Sequence, residues 1–545
     1  MNIDKVRVPL LQQAAKWIEN CESTHDECSR NQSKKSPTRL LDLIYLWDQE
    51  MVHLVESAHL ADARYAVLSY VWGSSPTIRL TEAAQSSFKR GLAFDGLPQT
   101  IKDSVLVTDR LNIRYLWIDA LCILQDSNVD KKHEIPRMNE YYQNALVVIS
   151  ASAAEDVHSG FTFYQETYHD RYTELQNPDR TRQSLTGSVP LRVPGHFPNY
   201  STSLLVDTMP SLYTYKSEPI NNRAWTLQES VLPRRLLTFP RTGGLSMTCR
   251  GGEVLAGEIV SDPYAEVPRS NALGIVSTNR HTTDEIVELW TQMVEDYTER
   301  SLSNRGDILV AIGALAREFH TKHAAMLGRY LAGLWENHLR SCLLWYDTNN
   351  PSIPLTGDRS QYLAPSWSWA SCCGPVLFRN EPEWYLPLNG SDPGTFYIPR
   401  WYCEVLSCEV TPHSELDPFG AVESGSLTIR GPLRPLARQP YDSDDTTEAQ
   451  QKSPGCPDLY LEESLDAAVA LILDRPLVAH EATGNEDSQY HWLGIWYAGR
   501  SRARGLIVQQ IDETSFRRLG LAEYVVEKEE FPSSELHNER VIHLV

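Results

Sequence analysis

Residues 115–126 read YLWIDALCILQD, and the interpretation of the fold starts from this stretch. Its first half is a short apolar run rich in aromatic and β-branched side chains, and it ends on Asp119. That length and composition favour a buried strand over a helix, and a continuous apolar run is typical of a parallel sheet. Active sites of open α/β sheets lie just beyond the carboxyl ends of such strands. Asp119 is therefore either a ligand-facing carboxylate or a cap for the next helix, and the residues alone slightly favour the cap.

Strands and helices alternate on both sides of this stretch. Residues 65–71 (YAVLSYV), 145–151 (ALVVISA) and 234–239 (RRLLTF) are predicted to be further strands. Helical periodicity follows Pro98, which is acceptable in a first turn, and recurs over residues 131–142. Alternation at this spacing predicts βαβ units and an α/β fold with a parallel sheet.

Four segments are expected along the chain. Residues 1–60 have helical spacing, and an α/β domain covers residues 61–240. A polar stretch over about 155–219 is too long for a simple loop and is predicted to be an insertion within that domain. Residues 241–350 are predicted to be helical, and residues 351–545 to form a β-rich domain of the sandwich or barrel type, because short apolar runs there are separated by turn-forming residues.

Composition restricts the partners and the compartment. The 545 residues are too many for one core, and the formal net charge is −21. An acidic surface repels phosphate backbones and anionic lipids, so neither nucleic acid nor membrane is an expected partner. No apolar run reaches the roughly 18 residues of a membrane helix, and the first residues lack a signal-peptide core. Ten cysteines without a secretory signal are expected to remain thiols, which predicts a cytosolic or nuclear protein. Of these two compartments, we expect the cytoplasm.

The motif Cys21-x3-His25-x2-Cys28 offers three side chains of zinc-ligand type. A structural zinc site is almost always four-coordinate, and no fourth ligand is evident nearby in the sequence. We therefore favour thiols and a histidine packed at a helix end, and predict no metal site.

Familiar catalytic motifs are absent: the sequence contains no P-loop, no dinucleotide-binding glycine fingerprint, no zinc-protease motif and no nucleophile elbow. The remaining candidates are carboxylates and a thiol near predicted strand ends: Asp119, Cys122, Asp126, Glu134 and Glu229. Apolar residues follow Cys122, so we expect a packed thiol there rather than a nucleophile. The pair Trp367 and Trp369 is expected in a core.

Glu229 lies four residues beyond Trp225, so the two side chains share a face if this segment is helical. Shielding by the indole would disfavour the ionised carboxylate and raise its pKa, as in glycosidic-bond cleavage. The alternative is an ion pair between Glu229 and Arg234 or Arg235, which the residue types alone favour.

Several blocks of sequence, in consistent order, resemble the fungal heterokaryon incompatibility (HET) domain. They include YAVLSYVWG at 65–73, LPQTI at 97–101, YLWIDALCI at 115–123 and RAWTLQE at 223–229. The resemblance covers roughly residues 38–375, and one departure is Ala224, where the family often has glycine. It implies a role in fungal non-self recognition and cell-death signalling.

The HET family is similar in outline to the Toll/interleukin-1 receptor (TIR) fold, so the resemblance implies a TIR/flavodoxin-like parallel sheet with helical additions. In plant-type TIR domains, a Trp-Cys-x-x-Glu segment supplies the glutamate that cleaves the glycosidic bond of NAD. Trp225 and Glu229 match that Trp and Glu, whereas Thr226 stands in place of the Cys. The resemblance therefore implies that Glu229 is catalytic and that a nucleotide is bound by Ser69, Trp72, Gly73, Asp119, Arg223 and Trp225.

Three functions stay open at this point. The first is NAD⁺ glycohydrolase-like chemistry, with NAD as substrate and no required cofactor. The second is a non-enzymatic module that self-associates or docks another incompatibility protein. The third is a HET-fold protein recruited to a secondary-metabolite pathway. Because fold-level analogy does not establish activity, the deciding geometry is whether Glu229, Asp119 and Trp72 lie together.

Overall fold

The chain folds as two units, Met1–Gly274 and Ile275–Val545. The computed structural model describes residues 8–29, 36–60, 63–73, 78–162, 189–191, 204–206, 218–241, 245–250, 252–256, 282–348, 362–372, 374–378, 400–415, 417–438, 459–461, 467–473, 490–498, 502–526 and 539–545. Within these ranges, no helix combines the length and the apolar character needed to cross a bilayer. The boundary between the units falls within the predicted segment 241–350. The prediction that this segment is helical is wrong over residues 245–249 and 252–256, which form strands of the first unit because neighbouring strands complete their hydrogen bonds.

A nine-stranded mixed sheet forms the centre of the first unit. Its nine strands are β1 (Arg39–Asp42), β2 (Met51–Glu56), β3 (Tyr65–Ser69), β4 (Leu92–Ala93), β5 (Tyr115–Trp117), β6 (Val147–Ser150), β9 (Arg235–Thr238), β10 (Leu245–Cys249) and β11 (Gly252–Ala256). Strands β7 (Val189–Leu191) and β8 (Leu204–Val206) form a separate hairpin. The spatial order in the sheet is β11-β10-β9-β6-β3-β5-β1-β2-β4.

Four parallel strands occupy the middle of this sheet. Strand β3 pairs with β5 on one side and β6 on the other, and β6 pairs with β9. Numbered along the chain, these strands lie in the order 2-1-3-4, which agrees with the first four positions of the flavodoxin-type order. Every residue of β3, β5 and β6 is buried, which explains their continuous apolar sequences.

Antiparallel strands extend both edges of the sheet, so it is not purely parallel. Strand β1 pairs with β5 and β2, β2 pairs with β4, and β10 pairs with β9 and β11. The prediction that residues 1–60 are helical is therefore wrong over β1 and β2. Strand β1 has only four residues, too few to display a period, and it forms because neighbouring strands complete its hydrogen bonds.

Helices cover both the amino-terminal segment and the crossovers of the first unit. They are α1 (Val8–Thr24), α2 (Asp26–Ser29), α3 (Leu46–Gln49), α4 (Gln85–Arg90), α5 (Gln99–Arg110), α6 (Asp119–Cys122), α7 (Asn128–Glu134), α8 (Met138–Asn144) and α9 (Trp225–Val231). Helix α5 begins directly after Pro98. Ile101, Val105 and Thr108, which lie on one face of this helix, are buried. The helix predicted over 131–142 is divided by a 3-10 turn at Ile135–Arg137, because Pro136 lacks an amide hydrogen and clashes with the preceding turn.

Most of the insertion predicted over residues 155–219 lies outside the described residues. The exceptions are residues 155–162, the hairpin of β7 and β8, and residues 218–219. Residues 151–162 follow β6 as turns, and the carboxylate of Asp103 on α5 accepts hydrogen bonds from the amides of Phe161 and Thr162. This part of the segment therefore packs against the domain.

The second unit combines helices with a β-rich sheet. Its elements are α10 (Thr283–Thr298), α11 (Val310–Leu327), α12 (Leu339–Cys342), β12 (Tyr330–Leu331), β13 (Leu334–Trp335), β14 (Trp345–Asp347), β15 (Val376–Phe378), β16 (Arg400–Trp401), β17 (Glu404–Pro412), β18 (Val422–Arg438), β19 (Leu459–Leu461), β20 (Ala467–Leu473), β21 (Tyr490–Ala498), β22 (Arg502–Gln510), β23 (Ser515–Val526) and β24 (Glu539–Leu544).

The β-rich domain is barrel-like, as the sequence predicts. Strands β21, β22, β23, β24 and β18 pair in succession, and β18 pairs back with β21. The 17 residues of β18 make this closure possible, because its first part pairs with β24 and its later part with β21. Trp367 and Trp369 are fully buried in the second unit, which confirms their expected core position.

Candidate active site

Glu229 of α9 lies against the carboxyl end of β3. Ser69, the last residue of that strand, donates its hydroxyl hydrogen to Oε2 of Glu229 across 2.5 Å. The phenol of Tyr142, on α8, is a second hydrogen-bond partner of the same carboxylate. Glu229 is only 6% exposed, so both partners are needed to satisfy its oxygens away from water. Two separate elements thus fix the orientation of this acid.

Asp119 lies beyond the adjacent strand, at the first position of α6. The indole nitrogen of Trp72 donates to both of its carboxylate oxygens, at 3.1 and 2.9 Å. The amide of Ala120 donates to Oδ1 at 2.7 Å. Asp119 is therefore not the cap that the residues alone favour, because the N-cap of α6 is Ile118 and no side chain caps this helix. Its carboxylate instead contacts the side chains that follow β3.

Arg223 supplies the positive charge of this cluster. Its guanidinium donates to the backbone carbonyl of Tyr70 at 2.8 Å, which ties the segment before α9 to the residue after β3. The Arg223 charge lowers the pKa of both Asp119 and Glu229. The charge of one arginine therefore stabilises the ionised forms of two carboxylates that lie 110 positions apart in the chain.

Burial sets the protonation of the two acids. It raises the pKa of Glu229 from its ordinary 4.5 to about 7, against the lowering effects of Arg223, Ser69 and Tyr142, and the Asp119 charge raises it further. Burial also raises the pKa of Asp119, to about 6, and Arg223, Ala120 and Trp72 oppose this. The side chain of Asp119 is half-buried. Both carboxyl groups therefore hold their protons to a higher pH than they would in water.

Tyr70 adds a polar group without a described partner. Its side chain is 3% exposed, and no group among the described residues hydrogen-bonds to its hydroxyl. Burial raises the pKa of this phenol well above its usual range, and the negative charge of Asp119 raises it further. A buried hydroxyl without a partner is unfavourable, so Tyr70 is suited to hydrogen-bond a molecule that enters beside the two acids.

Gly73 directly follows Trp72 in the chain, and Trp225 lies two residues after Arg223. Gly73 has a φ of +80°, and a Cβ added there would lie 2.7 Å from Cβ of Asp156. Its position in the motif therefore has a steric reason. Trp225 opens α9 and is half-buried. The hydroxyl of Thr226 donates to the carbonyls of Ile220 and Arg223, at 2.5 and 2.7 Å, and so stabilises the turn that carries Arg223.

The other candidate residues lie elsewhere or have structural contacts. Cys122 is fully buried and burial raises its pKa to about 12, which agrees with the expected packed thiol. Asp126 is exposed and accepts the amide of Glu82. Glu134 accepts hydrogen bonds from Thr38 and Tyr141, near the start of β1.

The ion pair that the sequence favours for Glu229 is not formed with Arg235. That guanidinium donates instead to Sγ of Cys21 and to the carbonyls of Leu146 and Cys28. The physical reason is topological: Arg235 begins β9, at the amino end of the parallel strands, whereas Glu229 lies at their carboxyl end.

Sequence reasoning did not select Tyr70 or Tyr142 as site residues. Tyr142 lies on the face predicted to be buried in the 131–142 helix, and Tyr70 lies within the predicted strand 65–71. Both therefore read as core residues. The sequence offered one indication for Tyr70, which is that it directly follows the candidate site residue Ser69.

Together these features define an α/β domain with one buried and one half-buried carboxylate at the carboxyl edge of its parallel strands. Residues 65–229 match the sequence model of the family described as heterokaryon incompatibility protein (HET). The matched segment begins at the first residue of β3 and ends at Glu229, so it includes the whole cluster. The chain therefore contains a HET domain, and the match suggests a heterokaryon-incompatibility-type function. No curated protein and no solved structure matches the chain.

Proposed function

We propose that this HET domain acts in non-self recognition and cell-death signalling by cleaving the bond between nicotinamide and ribose in NAD⁺. The observation that carries this proposal is that Glu229 and Asp119 lie close enough for their charges to interact, and that the Arg223 charge acts on both. The Arg223 charge lowers the pKa of each carboxylate, which favours the ionised forms that the reaction uses. The similarity to TIR domains implied by Trp225 and Glu229 gives the reaction class.

The strand order supports this position for a nucleotide. The chain order of the parallel strands reverses between β3 and β6, and ligands of open α/β sheets bind beyond the carboxyl ends of strands at such a point. Ser69 and Ser150 end these two strands side by side. Arg223 offers a cation for a diphosphate, and the Tyr70 hydroxyl and Trp72 indole offer polar and stacking contacts.

The proposed reaction requires little covalent chemistry from the protein. The C1′–N bond breaks, its electron pair leaves with nicotinamide, and positive charge develops on the ribose. An ionised Glu229 stabilises that charge or accepts hydrogen bonds from the ribose hydroxyls. Water then adds to C1′ and releases a proton, for which the ionised Asp119 is the second base of the cluster. The products are nicotinamide, ADP-ribose and a proton.

The test is release of nicotinamide from NAD⁺ by the full chain and by the variant Glu229→Gln. We expect the variant to lose turnover by at least about 100-fold while its circular dichroism and unfolding transition remain those of a folded protein. Glu134→Gln is the matched control, because Glu134 is also fully buried and hydrogen-bonded but lies near β1. It should retain turnover even if it loses stability.

Equal turnover in Glu229→Gln and the wild type would reject the role of Glu229. A wild-type chain that neither binds NAD⁺ at millimolar concentration nor releases nicotinamide, and that forms concentration-dependent oligomers, would instead support a non-enzymatic self-associating module.

A further inference from the structure

Four zinc-ligand side chains meet at one point of the first unit, away from the carboxylate cluster. They are Cys21 in the last turn of α1, His25 between α1 and α2, Cys28 in α2, and Cys249 at the end of β10. Their ligand atoms all lie within 4.8 Å of one another. Cys249 supplies the fourth ligand type that the local sequence lacks, and it lies 224 residues from His25.

We propose that Cys21, His25, Cys28 and Cys249 bind one structural Zn²⁺ ion. Three thiolates and an imidazole are a standard donor set for tetrahedral structural zinc, with zinc–sulfur distances of about 2.3 Å. A tetrahedron of that size has edges of roughly 3.8 Å. A sulfur–nitrogen edge is shorter, roughly 3.5 Å, because the zinc–nitrogen distance is only about 2.0–2.1 Å. The Sγ of Cys249 and the Nδ1 of His25 are 3.4 Å apart, which is close to that length.

The local backbone explains why the three nearby ligands converge. The amide of His25 bonds to the carbonyl of Cys21, and the amide of Cys28 bonds to the carbonyl of His25. These two helical turns bring positions 21, 25 and 28 to one side of the segment. Helix α1 packs against β10, which brings Cys249 to the same place.

The burial fits a structural site rather than a catalytic one. The three cysteines are 1 to 2% exposed, and His25 is half-buried. Four protein ligands complete a tetrahedron and leave no position for a substrate, in contrast to catalytic zinc. None of these cysteines forms a disulfide.

Arg235 is an independent observation that favours a negatively charged centre here. This buried guanidinium, 2% exposed, donates from Nε to Sγ of Cys21 at 3.1 Å and from a terminal nitrogen to the carbonyl of Cys28 at 3.2 Å. A buried cation requires compensating charge. Zinc with three thiolates and a neutral histidine has a net charge of −1, and an N–H donor to a ligand sulfur is a common outer-shell contact of such sites.

The position of the cluster indicates what the ion would do. Cys249 pairs with Arg235, at the amino end of β9, whereas Ser69 and Glu229 meet at the carboxyl end of the parallel strands. The ion would therefore join the amino-terminal helices to the β9–β10 edge of the sheet without contacting the carboxylates. Its role is to stabilise the first unit, which makes this inference independent of the proposed NAD⁺ chemistry.

Metal content of the purified full chain tests the site. We expect one zinc per chain, retained on dialysis and removed by a strong chelator with a fall in the unfolding temperature. Refilling the metal-free chain with Co²⁺ should give the intense visible bands and the sulfur-to-metal charge-transfer absorption of a tetrahedral thiolate site. Cys249→Ser should bind less than a tenth of the wild-type zinc, and Cys122→Ser, at another fully buried thiol of the unit, should keep all of it.

The Co²⁺ spectrum is recorded on the wild-type chain, so the test does not depend on a variant that folds. Wild-type protein that holds no stoichiometric zinc and gives no tetrahedral Co²⁺ spectrum would overturn the proposal. So would a disulfide among these cysteines in the freshly purified chain, or full zinc content in Cys249→Ser.

Discussion

Ser69 and Glu229, 160 residues apart in the chain, are joined by a hydrogen bond of 2.5 Å. The length is that of a hydroxyl bound to a carboxylate, a class of hydrogen bond roughly twice as strong as a neutral one. It connects the end of a central strand with the helix before β9, so the fold of the parallel sheet and the position of the acid depend on each other. The matched HET segment begins on that strand and ends on that acid.

Replacing Ser69 with alanine removes this bond. Because the bond lowers the pKa of Glu229, the variant should have a pKa above the present value of about 7. The midpoint of the rise in nicotinamide release with pH should move upward accordingly. The free energy of unfolding should fall by roughly 1–3 kcal/mol, since a buried carboxylate loses a donor. Rate–pH profiles and chemical denaturation measure the two effects.

Ser152→Ala is the matched control for that variant. Ser152 is also buried, and its hydroxyl donates to the carbonyl of Phe239 at 3.0 Å. The control should lose stability without moving the pH midpoint. An unchanged midpoint in Ser69→Ala, or an equal shift in both variants, would contradict the assigned contact.

Replacing Arg223 with glutamine should raise the pKa of both acids at once. The Arg223 charge is the largest of the influences that lower the pKa of Asp119 and of Glu229. With less of each carboxylate ionised at pH 7, turnover at neutral pH should fall and recover at higher pH. NMR titration of the side-chain carboxyl carbons provides the direct measurement. Arg241→Gln is a suitable control, because Arg241 pairs with Glu155 outside the cluster, and it should leave both titrations in place.

The buried Glu229 should make the first unit less stable as the pH rises. Its pKa is about 7 in the folded chain and about 4.5 ordinarily, so between these values the folded state holds a proton that the unfolded state has released. The free energy of unfolding therefore falls from about pH 4.5 to about pH 7, by roughly 3 kcal/mol in total. Asp119 contributes in the same direction between its ordinary 3.8 and about 6.

Glu229→Gln removes this dependence, which gives a direct check by denaturation at several pH values. The stability of the variant relative to the wild type should improve by roughly 3 kcal/mol between pH 4 and pH 8. A difference that stays constant over that interval would show that Glu229 keeps an ordinary pKa.

The parts of the fold that could be predicted are those determined by residues close together in the sequence. The central strands were predictable because burial on both faces requires a continuous apolar run, as in residues 65–69 and 115–117. Strand β1 was not, because its four residues become a strand only when β2 and β5 supply partners. The division at Pro136 could have been predicted from the missing amide alone.

The same reason limits what the sequence reveals about the two sites. Trp225 and Glu229 lie within one motif, so their position in one helix could be predicted from the sequence. Tyr142 and Cys249 reach their partners only through tertiary packing, and no local pattern distinguishes a buried tyrosine or cysteine that contacts a site from one that only fills a core. Arg235 was assigned to the wrong partner because sequence proximity to Glu229 does not reveal which end of β9 it occupies.

Gly333 provides a test of the second unit by itself. Its carbonyl accepts hydrogen bonds from the indoles of Trp290 and Trp369, at 3.1 and 3.0 Å, and its φ is +99°. A Cβ added there would lie 2.5 Å from Nε1 of Trp369, so Gly333→Ala combines backbone strain with a clash against a buried ring. We expect a loss of roughly 2–4 kcal/mol in the free energy of unfolding, measured by denaturation.

Gly96→Ala should change stability by less than about 1 kcal/mol, because nothing lies within 4 Å of the added carbon. Equal stability of the two variants would show that the indoles yield to the new methyl group, and that the paired contacts at the Gly333 carbonyl do not fix this core.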